Sequence, residues 1–171
     1  MIEFRKANPG DAVLLATLRQ RVWEETYRGI YPDEKIDGYD IAAYAGRDAS
    51  RMEDSAQRYY LAFDGETCVG YFSYGPYNYG TYKDFDLCLN SLYFLKSHQR
   101  RGLGYRVLDQ IQKYAREQGM DKFFCGCSIH NGPARAFYEK MGGLLAGECG
   151  GHENKAEGLC YYEFYLGEET I

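Results

Sequence analysis

The chain has 171 residues, which is enough for one domain with a substantial hydrophobic core and too few for two domains of ordinary size. Apolar residues make up 45% and charged residues 26%, a composition that excludes a chain disordered throughout. The formal net charge of -5 argues against a general nucleic-acid binder, because such proteins neutralise phosphates with Lys and Arg. Eighteen tyrosines, each with an apolar ring and a polar hydroxyl, indicate a partly hydrated cleft or a contact surface.

The sequence carries no signal for export or membrane insertion. No basic segment followed by an apolar run opens the chain, so no signal peptide is predicted. No stretch approaches the ~18 apolar residues of a membrane span. Cys125 and Cys127 lack a second pair of ligands at zinc-site spacing, so we predict no metal and six reduced thiols. These patterns are typical of a cytoplasmic protein with no membrane partner.

Apolar spacing and turn residues predict the elements along the chain. In chain order they are a strand over 2–6, a helix beginning after Asp11 and ending before Pro32, a helical region over 33–57 divided by Gly38 and Gly46, strands over 59–63 and 68–74, a loop over 75–83, a strand over 86–95, a helix over 104–118, a strand over 122–128, a helix over 133–140, and strands over 144–148 and 159–166. This order predicts an α/β (α+β) fold, with a central mixed sheet and flanking helices. No repeat or linker interrupts it, so we expect a single domain over 1–171.

One segment, Leu92–Tyr105, combines a predicted strand, a basic turn and the start of a helix. Main-chain N–H groups and the helix dipole at such a turn favour an anion, and Arg100 and Arg101 add positive charge. The pattern indicates a phosphate or pyrophosphate site, or else a tight turn with solvated charges. A Walker loop is absent, and Gly102 and Gly104 are not followed by the third glycine of a dinucleotide-binding fingerprint.

A second segment, His130–Gly143, follows the next predicted strand and reads HNGPARAFYEKMGG. Together with Gln99-Arg100-Arg101-Gly102-Leu103-Gly104 it resembles the two ordered motifs of the GNAT N-acetyltransferase superfamily. The segment Trp23–Pro32 also looks like members of that family, so the resemblance spans nearly the whole chain.

The resemblance implies acetyl-CoA as the acyl donor, without a metal. It implies a mostly antiparallel sheet of about six to seven strands, whose fourth and fifth strands splay apart to admit the pantetheine arm. The implied contacts are pyrophosphate binding by N–H groups from Arg100 to Tyr105, strand-like pairing of the arm with Tyr93, Phe94 and Leu95, and polarisation of the thioester carbonyl near Phe94. The cofactor-binding residues expected from it are Tyr93, Phe94, Leu95, Gln99, Arg100, Arg101, Gly102, Leu103, Gly104, Tyr105 and Asn131.

The same resemblance assigns catalytic groups. Tyr138 matches the family tyrosine that faces the CoA sulfur, where a phenol can give a proton to the departing thiolate. Many relatives place a basic Glu on the fourth strand, but Cys88 occupies that position here. Asp86, two residues earlier and therefore on the same face of the predicted strand, is our candidate base. His130, His98 and a chain of water molecules are the alternatives.

Acceptor specificity in the family comes from the first two helices and the later loops. Carboxylates interspersed with aromatic rings in this region suit a cationic amine, and we expect Tyr27, Tyr31 and Tyr74 to bind it. The acceptor is then a primary amine of a small molecule or peptide, such as a polyamine, amino sugar, aminoglycoside, protein amino terminus or lysine. The alternatives are a non-catalytic acyl-CoA-binding or regulatory module and an enzyme for longer acyl donors. A homodimer is compatible with the tyrosine-rich surface.

Overall fold

In the computed structural model, residues 1–150 and 155–167 are described. The helices are α1 (Ala12–Tyr27), α2 (Asp33–Asp37), α3 (Ile41–Glu53), α4 (Leu103–Glu117) and α5 (Gly132–Lys140). The strands are β1 (Ile2–Lys6), β2 (Arg58–Asp64), β3 (Thr67–Gly75), β4 (Cys88–Phe94), β5 (Lys122–Ser128), β6 (Leu144–Cys149) and β7 (Leu159–Tyr165). None of the helices in this part of the chain combines the length and apolarity that a membrane crossing requires.

The seven strands are hydrogen-bonded in the order β1-β2-β3-β4-β5-β7-β6. β1 with β2, β2 with β3, β5 with β7 and β6 with β7 are antiparallel, whereas β4 and β5 are parallel. The parallel register joins Cys88 with Phe124 and Leu89 with Cys125, and it ends there. The mixed sheet with flanking helices confirms the predicted fold class.

Residues 1–75 and 91–103 form a first compact unit. Its β3 is buried at every position after Thr67, as expected for a strand that is covered on both faces. Helix α1 contributes Leu15, Ala16 and Val22 to the core of this unit, and all three are buried. Gly46 lies inside α3 and does not divide it, contrary to prediction, because one exposed glycine costs a helix only about 0.5–1 kcal/mol.

Residues 76–90 and 104–171 form the second unit, of which 151–154 and 168–171 lie outside the described residues. The predicted inner face of α4 is confirmed, since Val107, Leu108, Ile111 and Ala115 are fully buried. Strand β4 begins at Cys88, two residues later than predicted. Asp86 therefore precedes the strand and is exposed, and the alternation argument for its side-chain direction does not apply to it.

Candidate active site

The main-chain groups on either side of β4 form hydrogen bonds with different neighbouring strands. The Leu87 carbonyl accepts a hydrogen bond from the Phe124 N–H of β5, at 3.2 Å, whereas the Leu95 N–H donates to the Val69 carbonyl of β3, at 2.9 Å. These residues are an even number apart, so a regular strand would direct both to the same neighbour. The main chain between them therefore departs from a regular strand, and such a departure re-aims main-chain groups.

Phe94 and Leu95 consequently differ in what their main chains can offer a ligand. Both main-chain groups of Leu95 have partners, because its carbonyl also accepts from the His98 N–H at 2.8 Å. The N–H of Leu95 is thus engaged and does not suit the predicted pairing with a ligand. Adjacent residues in an extended chain direct their N–H groups to opposite edges, so the N–H of Phe94 points away from β3. This N–H is the one that suits the predicted contact with a carbonyl oxygen.

The ring of Phe94 is held by a close approach to β3. Phe94 is buried, and its ring lies where a side chain on Gly70 would begin, with 2.2 Å between an ideal Cβ at Gly70 and Phe94 Cδ1. Only glycine can occupy this place in β3 without moving the ring. The ring in turn fixes the end of β4 from which the basic turn starts.

The turn between β4 and α4 has the backbone shape of an anion site. Arg100 and Gly102 both have positive φ, at 63° and 77°, on either side of Arg101. Alternation of left-handed and right-handed residues brings successive N–H groups into one concavity, which binds anions. Helix α4 begins directly afterwards at Leu103, which adds the unpaired N–H groups of its first turn. Arg100, Arg101, Gly102 and Tyr105 are exposed, and Leu103 is buried.

Gly104, the second glycine of this motif, serves packing within the second unit. A Cβ at Gly104 would lie 2.6 Å from Cζ of Phe137. The close approach between the first turn of α4 and the Phe137 ring of α5 therefore requires glycine. No atom lies within 4 Å of a Cβ built at Gly102, so glycine is required there for its positive φ and not for space. The two glycines of one motif are therefore required for different physical reasons.

Asn131 caps α5, with its Oδ1 accepting a hydrogen bond from the Ala134 N–H at 3.2 Å. A side-chain oxygen in this position satisfies one of the first N–H groups of a helix. Its amide nitrogen is not used by the cap, so the predicted CoA contact stays a prediction beside this structural role.

Tyr138 lies on the buried side of α5. Its ring packs against Phe137, Tyr162 and Phe164, at centroid distances of 5.3, 5.7 and 6.4 Å. Burial raises the pKa of the neighbouring Cys125 thiol well above its usual range, and a hydrogen bond with Tyr138 opposes that rise. The Tyr138 hydroxyl therefore lies beside the Cys125 sulfur, and its ring is held among other aromatic rings.

Cys88 cannot replace a carboxylate base. It is buried, and its pKa lies well above the ordinary value, first because of burial and then because of Cys125. Of the other candidates, His98 is held in the basic turn, with Nε2 3.2 Å from Asp64 Oδ2 and Nδ1 2.8 Å from Ser97 Oγ. His130 is exposed, as Asp86 is. The choice of base therefore stays open among Asp86, His130 and water.

The predicted acceptor residues Tyr27 and Tyr31 belong to a group of five rings, which we call the Trp23 cluster. The Trp23 ring contacts those of the other four members edge-on, at centroid distances from 5.3 to 5.9 Å: Tyr27, Tyr31, Tyr39 and Tyr44. Tyr27 is buried and its hydroxyl is 2.6 Å from that of Tyr93. Tyr31 is half-buried and stacks on Tyr27 at 4.3 Å. The sequence did not identify Trp23 as the centre of this cluster, although its four-residue spacing from Tyr27 places both rings on one face of a helix.

A lysine of this chain already lies on the cluster. Lys35 Nζ is 4.2 Å from the centroid of Tyr31 and 5.9 Å from that of Trp23. An ammonium at these distances is attracted by the negative faces of the rings. The accessible side of the cluster can therefore hold a primary ammonium group.

Most carboxylates of the same region already have partners within this chain. Asp33 and Asp37 pair with Arg28, and Asp40 caps α3 through the Ala43 N–H. Asp48 is fully buried against Arg19, at 2.5 Å. The prediction that these carboxylates attract the acceptor therefore weakens, and the aromatic faces remain as its basis.

Tyr74 is separated from the other predicted acceptor residues. Its ring is buried and stacks with Tyr60 and Phe72, at 5.9 and 6.4 Å. Tyr71, three residues earlier and so on the other face of β3, packs instead against Tyr93 and Arg19. The structure thus brings Tyr27 and Tyr31 together but places Tyr74 across the sheet.

Comparisons with known proteins agree with this architecture. The family model for the acetyltransferase (GNAT) family matches residues 16–143. An N-acetyltransferase of Thermoplasma acidophilum, solved with coenzyme A, superposes with a TM-score of 0.74 and 19% identity over 96% of this chain and 99% of its own. An acetyltransferase of Thermus thermophilus gives 0.72 and 24% over 97% of each chain. A spermidine N-acetyltransferase variant of Vibrio cholerae gives 0.66 and 13% over 96% and 93%.

No protein of curated function matches the sequence. The solved structures, all under 25% identical, establish the fold. The family model covers most of the chain, including the basic turn after β4 and helix α5, and on this ground the chain belongs to the acetyltransferase (GNAT) family.

Proposed function

We propose that this protein transfers the acetyl group of acetyl-CoA to a primary amine, by direct attack in a ternary complex. The observation that carries the proposal is the turn with positive φ at Arg100 and Gly102, which opens into the amino terminus of α4. Such N–H groups hold a pyrophosphate without side-chain chemistry. The T. acidophilum relative was solved with coenzyme A, which supports this ligand for the same fold.

In this proposal each main-chain and side-chain group has one task. The N–H groups from Arg100 to Tyr105 bind the pyrophosphate, with the guanidinium groups adding charge. The Phe94 N–H donates a hydrogen bond to the thioester oxygen as charge develops there. Tyr138 gives a proton to the sulfur when the carbon–sulfur bond breaks, while the attacking neutral amine forms the new amide bond and loses its own proton to the base, for which Asp86, His130 and water are the candidates.

The acceptor we propose is a small, flexible cationic amine. The position of Lys35 over Tyr31 and Trp23 supports this class, because the rings already hold one primary ammonium. The spermidine N-acetyltransferase among the structural relatives has such a substrate in its name. We also propose that the two compact units act as one acetyltransferase domain, since the relatives align over nearly the whole chain.

The role of Tyr138 is tested by Tyr138→Phe, which keeps the ring and removes the hydroxyl. We expect turnover to fall by about 10²-fold or more, as for loss of a general acid, with the acetyl-CoA Kd unchanged. Tyr79→Phe, at an exposed loop tyrosine, is the matched control. An unchanged rate in Tyr138→Phe would show that Tyr138 is not the proton donor to the departing thiolate. Binding of acetyl-CoA without amine-dependent CoA release would instead favour the non-catalytic acyl-CoA-binding module.

The acceptor class is tested at Tyr31 and Lys35. Tyr31→Leu should raise the KM for spermidine about 2- to 5-fold, the value of one exposed cation–π contact, whereas Tyr31→Phe keeps the ring and the KM. Lys35→Met removes the competing ammonium and should lower the same KM. If the KM for spermidine stays at the wild-type value in both Tyr31→Leu and Lys35→Met, this surface is excluded as the acceptor site.

A further inference from the structure

Two thiols that the proposed reaction does not use face each other across β5 and β7. Cys127 and Cys160 are direct partners in the antiparallel register, and their sulfurs are 3.5 Å apart. The Cys160 thiol also lies 3.5 Å from the Cys127 carbonyl. Side chains of directly opposite residues in antiparallel strands have Cβ atoms about 4.5–5.5 Å apart, close to the separation that a disulfide spans.

The other four cysteines have different surroundings. Cys68, Cys88 and Cys125 are buried, and Cys149 is exposed on β6. Burial raises the pKa of both Cys88 and Cys125 and shields them from solvent. Cys127 alone is partly exposed and has a second sulfur in hydrogen-bond contact.

The electrostatics around the pair favour a thiolate. The hydrogen bond from Cys127, and then the positive charge of Arg135, hold the pKa of Cys160 below its ordinary value, although burial opposes them. Arg135 is fixed beside the pair by hydrogen bonds to the Tyr162 hydroxyl at 3.3 Å and to the Ile129 carbonyl at 3.2 Å. It also pairs with Glu148 at 2.5 Å, and that carboxylate partly opposes the lowering of the Cys160 pKa. A thiolate next to a cation, and not the thiol, is the reactive form of cysteine.

We propose that Cys127 and Cys160 form an oxidisable dithiol, a modification site at which a small peroxide converts the pair to an intramolecular disulfide. The two sulfurs lie in hydrogen-bond contact, and as peroxide approaches, the proton between them passes from Cys127 to the Cys160 thiolate, which leaves a thiolate on the partly exposed Cys127. That thiolate attacks one oxygen of hydrogen peroxide, giving a sulfenic acid at Cys127 and releasing hydroxide, which becomes water on protonation. The Cys160 sulfur then attacks the Cys127 sulfur and displaces a second water.

The overall change is balanced, with two thiols and one hydrogen peroxide giving one disulfide and two waters. The thiols are oxidised and the peroxide is reduced. The link would join β5 to β7 two residues from Cys125, the thiol that contacts Tyr138. This oxidation uses neither the acetyl donor nor the acceptor and is independent of the acetyl transfer proposed above.

The test is oxidation of the purified full chain with limiting hydrogen peroxide, followed by alkylation with N-ethylmaleimide and mass spectrometry of tryptic peptides. Trypsin leaves Cys125 and Cys127 in one peptide, 123–135, so fragment ions must identify the linked residue. We expect a peptide pair joining Cys127 to Cys160, two hydrogens lighter than the reduced peptides and released by dithiothreitol. Alkylation of both residues after peroxide treatment would overturn the proposal.

Variants separate this link from other thiol chemistry. Cys160→Ser should stop at a sulfenic acid on Cys127, which dimedone traps, and Cys149→Ser should form the link at the wild-type rate. A circular dichroism spectrum of each variant shows that it is folded. A disulfide that disappears in Cys149→Ser, or one that joins two chains on a non-reducing gel, would contradict the assignment.

Discussion

The Gln99 side chain donates a hydrogen bond from Nε2 to the main-chain carbonyl of Phe94, over 2.9 Å. This bond spans the turn between the end of β4 and the residues with positive φ. It ties the proposed donor to the thioester oxygen, the Phe94 N–H, to the proposed pyrophosphate site. We therefore propose that Gln99, which the family resemblance assigned to cofactor binding, is a positioning residue that acts through the shape of the turn.

Gln99→Ala should weaken acetyl-CoA binding without abolishing it. One neutral hydrogen bond contributes about 0.5–1.5 kcal/mol, which corresponds to a 2- to 10-fold increase in Kd. Isothermal titration with acetyl-CoA measures this directly. Gln118→Ala, at an exposed residue directly after α4, removes the same group outside the turn and should leave the Kd unchanged.

Gly102→Ala and Gly46→Ala should have opposite effects on stability. Gly102 has a φ of +77°, where alanine costs roughly 1–2 kcal/mol, and a distorted turn should also weaken acetyl-CoA binding. Gly46 lies exposed within α3 with open space around it, so alanine should add about 0.5–1 kcal/mol. Urea unfolding of the two variants measures both signs. A gain in stability for Gly102→Ala would show that the turn does not need the left-handed conformation.

Asp48→Asn should be strongly destabilising. Asp48 has no exposed surface and pairs with Arg19, whose side chain is 5% exposed, so its loss leaves a buried guanidinium without its counter-charge. Breaking such a pair costs about 3–5 kcal/mol. Asp33→Asn is the matched control, since Asp33 is 72% exposed in its pair with Arg28 and such pairs contribute about 0–1 kcal/mol. Equal midpoints of urea unfolding for the two variants would contradict this reasoning.

Glu163 should make stability depend on acid pH. It accepts hydrogen bonds from Tyr82 at 2.9 Å and Tyr165 at 2.7 Å, and it pairs with Lys83. Burial alone would raise the pKa of Glu163, but these partners outweigh burial and lower it. A carboxyl with a lowered folded-state pKa stabilises the protein above the unfolded value of about 4.3, and this contribution is lost as pH falls through the folded pKa.

The measurement for Glu163 is the thermal midpoint between about pH 3 and pH 6, which brackets the unfolded pKa of Glu. Wild type should lose stability more steeply on acidification than Glu163→Gln, which cannot titrate. Asp86→Asn, at an exposed carboxylate, should follow the wild-type profile. Parallel profiles for wild type and Glu163→Gln would show that the lowered pKa makes no contribution.

The sequence by itself determined the elements and the motif. Apolar periodicity along α4 marked Val107, Leu108, Ile111 and Ala115, because helix spacing and burial follow directly from residue order. The β5 bounds were predicted residue for residue. The basic turn could be placed after β4, because its glycines and arginines stand between the apolar run of a strand and the periodic apolar residues of α4. These features depend on near neighbours in the chain.

Only the tertiary structure decided which groups are occupied by partners distant in sequence. The Val69 carbonyl engages the Leu95 N–H, Arg19 pairs with Asp48, 29 residues away, and the Tyr27 hydroxyl meets that of Tyr93, 66 residues away. The pairing of Cys127 with Cys160, 33 residues apart, likewise depends on the β5–β7 register. Register, close approach and burial arise from chain segments that meet only on folding, so residue spacing alone does not fix them.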